Sequence, residues 1–169
     1  MDRGTFKYDV PMRLRLSARL GGSRPAAEAD PLARRVVAGD AAAIAELMLA
    51  AYRGTVDDAG EGPEEAAREV ARLFVGDFGP FDFDVSEVVV RNGVVVAATL
   101  VTEYEGLPLI AFSMTAPAWK RRGLARAGLV RAMARLRAAG RERVDLAVTA
   151  TNTPSRRLYE SLGFEVVAR

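Results

Sequence analysis

Three consecutive cations, Lys120, Arg121 and Arg122, stand directly before Gly123, where the stretch "GLARAGL" has the composition of a helix start. The chemistry this placement suits is anion binding. A helix N-terminus presents unpaired N–H groups and a partial positive charge. Gly and Ala there leave the backbone open to close approach. A pyrophosphate fits such a cradle. A solvated basic surface, with Gly123 merely relaxing the turn, is the plain alternative, and the turn by itself does not choose between them.

Two absences narrow the remaining chemistry. The 169 residues include no Cys and no His. Thiol nucleophiles, disulfides and cysteine zinc sites are excluded, as are imidazole bases, His triads and His metal sites. Acid–base work falls to Asp, Glu, Tyr, Lys, a free amine or water, and no metal is expected.

The elements that must hold the cation-rich turn can be read from the chain. Its length fits one domain over residues 1–169. Net charge is only +2, so a large polyanion footprint is not expected. No apolar run approaches the roughly 20 residues that span a membrane. The start "MDRGTFKYDV" is polar and lacks a signal core, so a cytoplasmic home is expected. Met12, Leu14 and Leu16 alternate with Arg13 and Arg15 as in a strand, and Leu20 to Pro31 reads as a linker. Residues 1–30 are therefore an N-terminal strand and linker extension with no assigned role.

"RRVVA" is a short strand, and Asp40 is placed as the N-cap of a helix through Tyr52. Pro63 opens a second helix to about Phe74, after the acidic loop "RGTVDDAGEG". "SEVVVRNGVVVAATLVTEYEG" is a hairpin turning at Asn92-Gly93, and "LPLIAFSMT" is the next strand. A helix from about Gly123 to Ala139, the strand "RVDLAVTA", a helix capped by Thr153 with Pro154 behind it, and a last strand "FEVVA" complete the order. Three consecutive strands should be antiparallel, and the strand–helix–strand unit around 109–150 should be a right-handed parallel crossover.

Two motifs, in order, carry a resemblance. Lys120-x-x-Gly123-x-Ala125 is similar to the (Gln/Arg)-x-x-Gly-x-(Gly/Ala) signature of the GNAT superfamily, and "TNTPSRRLYESLGF" resembles that family's second motif. Lys120 departs from the usual Gln or Arg, keeping charge but losing the planar donor array. Ser155 stands where a small Ala is common.

The resemblance implies an α/β (α+β) GNAT fold. That is a mixed central sheet of about six to seven strands, antiparallel in its N-terminal half, with a parallel crossover in its C-terminal half and helices on both faces. It places an acetyl-CoA-binding core at residues 110–167. Acetyl-CoA would be the co-substrate and an amine the acceptor: a small amine, an amino acid or a peptide. The backbone of Met114, Thr115 and Ala116 would pair with pantetheine. The amides of Arg121, Arg122, Gly123, Leu124 and Ala125 would hold the pyrophosphate, with the side chains of Lys120, Arg121 and Arg122 in reach. Asn152 would bind pantetheine or a water, and Tyr159 would donate a proton to the departing thiolate.

Glu103 and Glu105, on one strand face by period-2 alternation, border the acetyl group in that family and could relay a proton. Asp57, Asp58 and Glu61 lie where the family shapes its acceptor site, and would draw a cationic amine. Homodimers are common in the family. A non-catalytic acyl-CoA-binding domain is the second reading. A third, nucleic-acid binding through Arg126, Arg131, Arg135 and Arg137, is opposed by the apolar face on the same helix and the near-neutral charge.

Overall fold

The alternation of Leu14 and Leu16 with Arg13 and Arg15 does form a strand, β1 (Arg13–Arg19), and it is an internal one. The structure is a computed structural model that describes residues 12–22, 26 and 28–167. A short strand β2 (Ala33–Arg35) leads to α1 (Ala41–Tyr52) and α2 (Pro63–Phe74). Then come β3 (Glu87–Arg91), β4 (Val94–Tyr104) and β5 (Leu107–Thr115). The chain continues through α3 (Leu124–Ala138), β6 (Arg143–Thr149), α4 (Thr153–Ser161) and β7 (Glu165–Val166). One mixed sheet runs β2-β3-β4-β5-β6-β1-β7, antiparallel except for the β5–β6 pair.

Turn chemistry sets the antiparallel half. Asn92 and Gly93 both have positive φ, the geometry that joins two strands through a two-residue turn. Glu105 and Gly106 repeat it between β4 and β5. The expectation that Glu103 and Glu105 share a strand face is therefore corrected: β4 ends at Tyr104, and Glu105 lies in the turn at φ 52°.

Two helix starts also differ from expectation. Asp40 stands at the N-cap position of α1 as expected, but its side chain makes no capping bond there; its carboxylate accepts from Val37 N at 2.8 Å and from the Arg34 guanidinium. Asn152, one residue before Thr153, is the cap of α4, with its side chain accepting from Ser155 N at 3.2 Å.

Each sheet face has its own core. On one face, α3 and α4 bury Leu129, Met133, Leu136 and Leu162 against Leu16, Val144, Leu146 and Val148. On the other, α1 and α2 bury Ile44, Leu47, Val70 and Leu73 against Val88, Leu100 and Met114. Each such side chain contributes roughly 1.5–3 kcal/mol when fully buried.

β1 completes the first of these cores by lying antiparallel to β6 from Arg13–Thr149 to Arg19–Arg143. Of the expected N-terminal extension, β1 is thus part of the sheet, between β6 and β7, while residues 1–11 lie outside the described residues.

The feature that matters for chemistry is where the sheet comes apart. β5 and β6 pair only at Leu109–Asp145 and Ile110–Leu146. A register shift at Leu100/Val101 bends the β4–β5 ladder at this level, as a bulge does. Beyond it, β5 runs on to Thr115 and β6 to Thr149 without each other, and a gap opens between their backbones.

Candidate functional site

The gap leads to the cation-rich turn. After β5, a single 3-10 turn at Pro117–Trp119 carries the chain to Lys120. Arg121 and Gly123 both take left-handed conformations, with φ of 62° and 78°. Gly123 is the N-cap of α3, and no side chain caps that helix. Its first amides therefore face outward without an intrahelical acceptor. A Cβ at Gly123 would meet nothing within 4 Å. Beside the turn, Thr115 Oγ1 is buried without a hydrogen-bond partner. An uncapped helix start, an open glycine and an unused hydroxyl fit an anionic group with a chain trailing into the gap.

The cations of the turn do different things. Lys120 Nζ donates to Ala51 O at 3.3 Å, in the last turn of α1, where a cation suits the helix dipole. Arg122 stacks on Trp119 at 4.7 Å. Arg121 is exposed. Leu124 and Ala125 begin α3, half-buried. Met114 faces the α1–α2 core, with its side chain 2% exposed, while Ala116 N donates to Val96 O.

Deeper in the gap, side chains from both layers converge. Tyr159 is buried in the α3–α4 core, with its ring edge-on to Phe164. Burial pushes its phenol above the ordinary value, and the charge of Asp57 adds to this. A hydrogen bond with Ser113, on the unpaired stretch of β5, pulls the other way. Asp57 comes from the loop between α1 and α2. Its Oδ1 accepts from Thr149 Oγ1 at 2.6 Å and its Oδ2 from Asn152 Nδ2 at 2.8 Å. Burial raises the phenol of Tyr52 as well, with Tyr159 and Asp57 next in effect.

The structure thus brings Asp57, Asn152 and Tyr159 together with Thr149, Ser113 and Tyr52, which sequence reasoning did not single out. It keeps the other candidates elsewhere. Asp58 is spent on its own loop, accepting from Gly54 N at 2.7 Å and Gly60 N at 2.9 Å. Glu61 is half-buried, and its charge acts on Glu69 of α2. Burial first, then Glu61, lifts the Glu69 carboxyl above the ordinary range. Glu103 pairs with Arg141 beyond the closed end of the gap, and Glu105 stands 3.8 Å from Arg15. Both glutamates are engaged at the β4–β5 hairpin, on the far side of the Leu109–Asp145 pair.

The helix cations are engaged too. Arg131 and Arg135 close on Glu87, which is 1% exposed. Arg126 donates to Ser161 Oγ and Arg137 to Gly22 O. Among the described residues, no three acidic side chains converge as a metal site, and no helix is long and apolar enough to cross a membrane.

The chain matches the FR47-like protein family over residues 90–169. No curated protein matches it significantly. Among solved structures, it is similar to a GCN5-related N-acetyltransferase from Sphaerobacter thermophilus, with 25% identity and a TM-score of 0.73 over 93% of this chain and 49% of that one. A GNAT-family acetyltransferase structure from Novosphingobium aromaticivorans matches at 24% identity and a TM-score of 0.63, over 92% of this chain and 61% of that one. The PaiA N-acetyltransferase from Thermoplasma acidophilum, solved in complex with coenzyme A, matches at 12% identity and a TM-score of 0.64, over 81% of this chain and 91% of that one. The chain spans about half and about three-fifths of the first two proteins.

Proposed function

We propose, from the premise that this chain belongs to the GNAT superfamily, that it is an N-acetyltransferase moving an acetyl group from acetyl-CoA to an amine. The observation that carries the reading is one continuous path. It starts at the uncapped amides of α3, follows the unpaired edges of β5 and β6, and ends beside the Tyr159 hydroxyl.

The turn residues Arg121 to Ala125 offer their amides to the pyrophosphate, and Gly123 keeps the approach open. On the edge formed by Met114, Thr115 and Ala116, Thr115 turns its N–H and C=O away from β4 and toward pantetheine, since Ala116 N donates to Val96 O. Asn152 has its Oδ1 committed to Ser155 N and one Nδ2 proton to Asp57, so its second Nδ2 proton is the one left for a ligand. Bound acetyl-CoA supplies the activated thioester. Tyr159, kept neutral by burial and by Asp57, holds a proton for the sulfur that leaves as the amine attacks. Asp57 has lone pairs beyond the two its partners use, and can hold the acceptor's ammonium before it gives up a proton. Asp57 takes the part first given to Glu103 and Glu105, which are tied to arginines at the hairpin.

The test is calorimetric titration with acetyl-CoA, followed by a thiol-release screen over amines, amino acids and peptides. Binding with release establishes the enzyme. Binding without release across the panel favours a non-catalytic acyl-CoA-binding domain. Failure to bind removes the reading.

A further inference from the structure

The cation Arg13 stands at the rim of the gap, and the proposed reaction leaves it unused. It opens β1, directly opposite Thr149, the residue that holds Asp57. Ladder bonds at Met12–Ala150 and Leu20–Glu142 put the odd-numbered residues of β6 in the wide phase, with their carbonyls turned from β1 toward β5. Arg13 Nη2 reaches one of these, Ala147 O, at 3.4 Å. Ala147 lies just past the last β5–β6 pair, so the guanidinium crosses β6 to the rim of the gap.

That long contact leaves most of its fork of donors free. The residue is exposed, and among the described residues it makes no ion pair. Its neighbours on the same face are committed: Arg15 to Asp145 at 2.7 Å, and Arg143 to Ser17 Oγ at 3.0 Å. Its charge is felt at Tyr159, Tyr52 and Glu69. The Tyr159 phenol thus feels an anion, Asp57, and a cation, Arg13, acting in opposite directions.

We propose that Arg13 anchors an anionic group of the acceptor, so that the acceptor is an amine carrying a carboxylate or phosphate near its nitrogen. The acetyltransferase reading underlies this. Asp57 faces the ammonium and Arg13 the acid, a pattern that a zwitterion satisfies and a simple amine does not. Of the acidic loop expected to draw a cationic amine, Asp58 is turned inward on the amides of its own loop.

The experiment is steady-state thiol release at saturating acetyl-CoA, with acceptors in pairs: an α-amino acid and its carboxamide, then O-phosphoethanolamine and ethanolamine. The acid member of at least one pair is expected to be the better acceptor by about tenfold or more in kcat/KM, and the pair that responds tells carboxylate from phosphate. Arg13→Gln should lower kcat/KM for that acid by about 10–100-fold, through KM, and lower it far less for the neutral member. Arg13→Lys should recover part of the loss, since a point charge replaces the fork. Equal use of acid and neutral members by the wild type overturns the anchor, and so does an equal loss on both in Arg13→Gln. If no acceptor releases thiol, the acetyltransferase reading is what fails. The anchor is then judged by titrating an N-acetyl amino acid into the CoA-loaded protein. Binding that disappears in Arg13→Gln keeps it, and binding that is absent or unaltered overturns it.

Discussion

Asp57 and Asn152 are 95 positions apart, yet Asn152 Nδ2 lies 2.8 Å from Asp57 Oδ2. Thr149 Oγ1, at 2.6 Å, holds the other carboxylate oxygen. The contact fastens the loop after α1 to the end of β6 and the cap of α4. It fixes the position of the loop at the gap, not only the charge there.

Asp57→Ala should therefore act on both stability and turnover. Hydrogen bonds to a charged group contribute about 1.5–3 kcal/mol, less at a half-buried site, so a loss of about 1–3 kcal/mol is expected. For a chain of this length that lowers the thermal midpoint by roughly 3–9 °C. Turnover should fall as well, because Asn152 loses its partner and Tyr159 loses a neighbouring anion. A differential scanning melt coinciding with the wild type would show that the loop is not held by this contact.

Tyr159→Phe removes the proton and keeps the ring. Turnover should drop about 10²–10⁴-fold, the usual worth of a positioned acid. Acetyl-CoA affinity should move by less than about twofold, since the hydroxyl acts on the leaving group only. The pH profile separates this from a packing defect. Burial raises the phenol above its ordinary value, so the donor form persists to higher pH than in a free tyrosine and the alkaline limb of kcat moves up with it. In the Phe variant that limb should vanish. A limb unchanged by the substitution would assign it to another group.

Gly123 can be probed in two steps because its conformation and its space make separate demands. At φ 78°, alanine costs about 1–2 kcal/mol of backbone strain, although its Cβ would meet nothing. Gly123→Ala should fold with a lower midpoint and bind acetyl-CoA more weakly. Gly123→Glu carries similar strain but sets a carboxylate at the uncapped amides, and binding should be lost in calorimetry. Equal affinity in the two variants would mean that no anion sits at this helix start.

Much of this was legible locally. Asn92-Gly93 fixed a hairpin, Pro63 fixed a helix start, and Lys120-x-x-Gly123 marked the turn, because each acts on its own few residues. Thr153 and Glu105, each misplaced by a residue, and Asp40, rightly placed but not bonding as a cap, sit where one side chain has two local options and tertiary partners choose. Arg34 draws Asp40 away from capping, and a second two-residue turn takes Glu105 out of its strand. What periodicity could not reveal was which distant segments meet. The placement of β1 between β6 and β7 joins the first strand to the last elements, and nothing in "RLRLSAR" names that neighbour. Nothing around Lys120 in the sequence names Ala51 O of α1, to which its ammonium donates.

Gly128, inside α3, is a contact point between that helix and the sheet. A Cβ there would lie 2.5 Å from Thr99 Oγ1 and 3.7 Å from Thr99 Cβ, on β4. Two effects oppose each other in Gly128→Ala. Alanine favours the helix by about 1 kcal/mol over glycine. Overpacking against a buried strand costs about 1–3 kcal/mol. Thr99 is 4% exposed and β-branched, so it has little room to yield, and the clash should win. Urea unfolding is expected to show a net loss of up to about 2 kcal/mol. The helix can relieve the clash only by lifting from the sheet, which moves its N-terminus, so acetyl-CoA affinity should weaken in parallel. Thr99→Ala removes the obstructing hydroxyl, and the double variant should regain both stability and affinity relative to Gly128→Ala alone. A Gly128→Ala protein more stable than wild type would mean that α3 and β4 do not approach this closely.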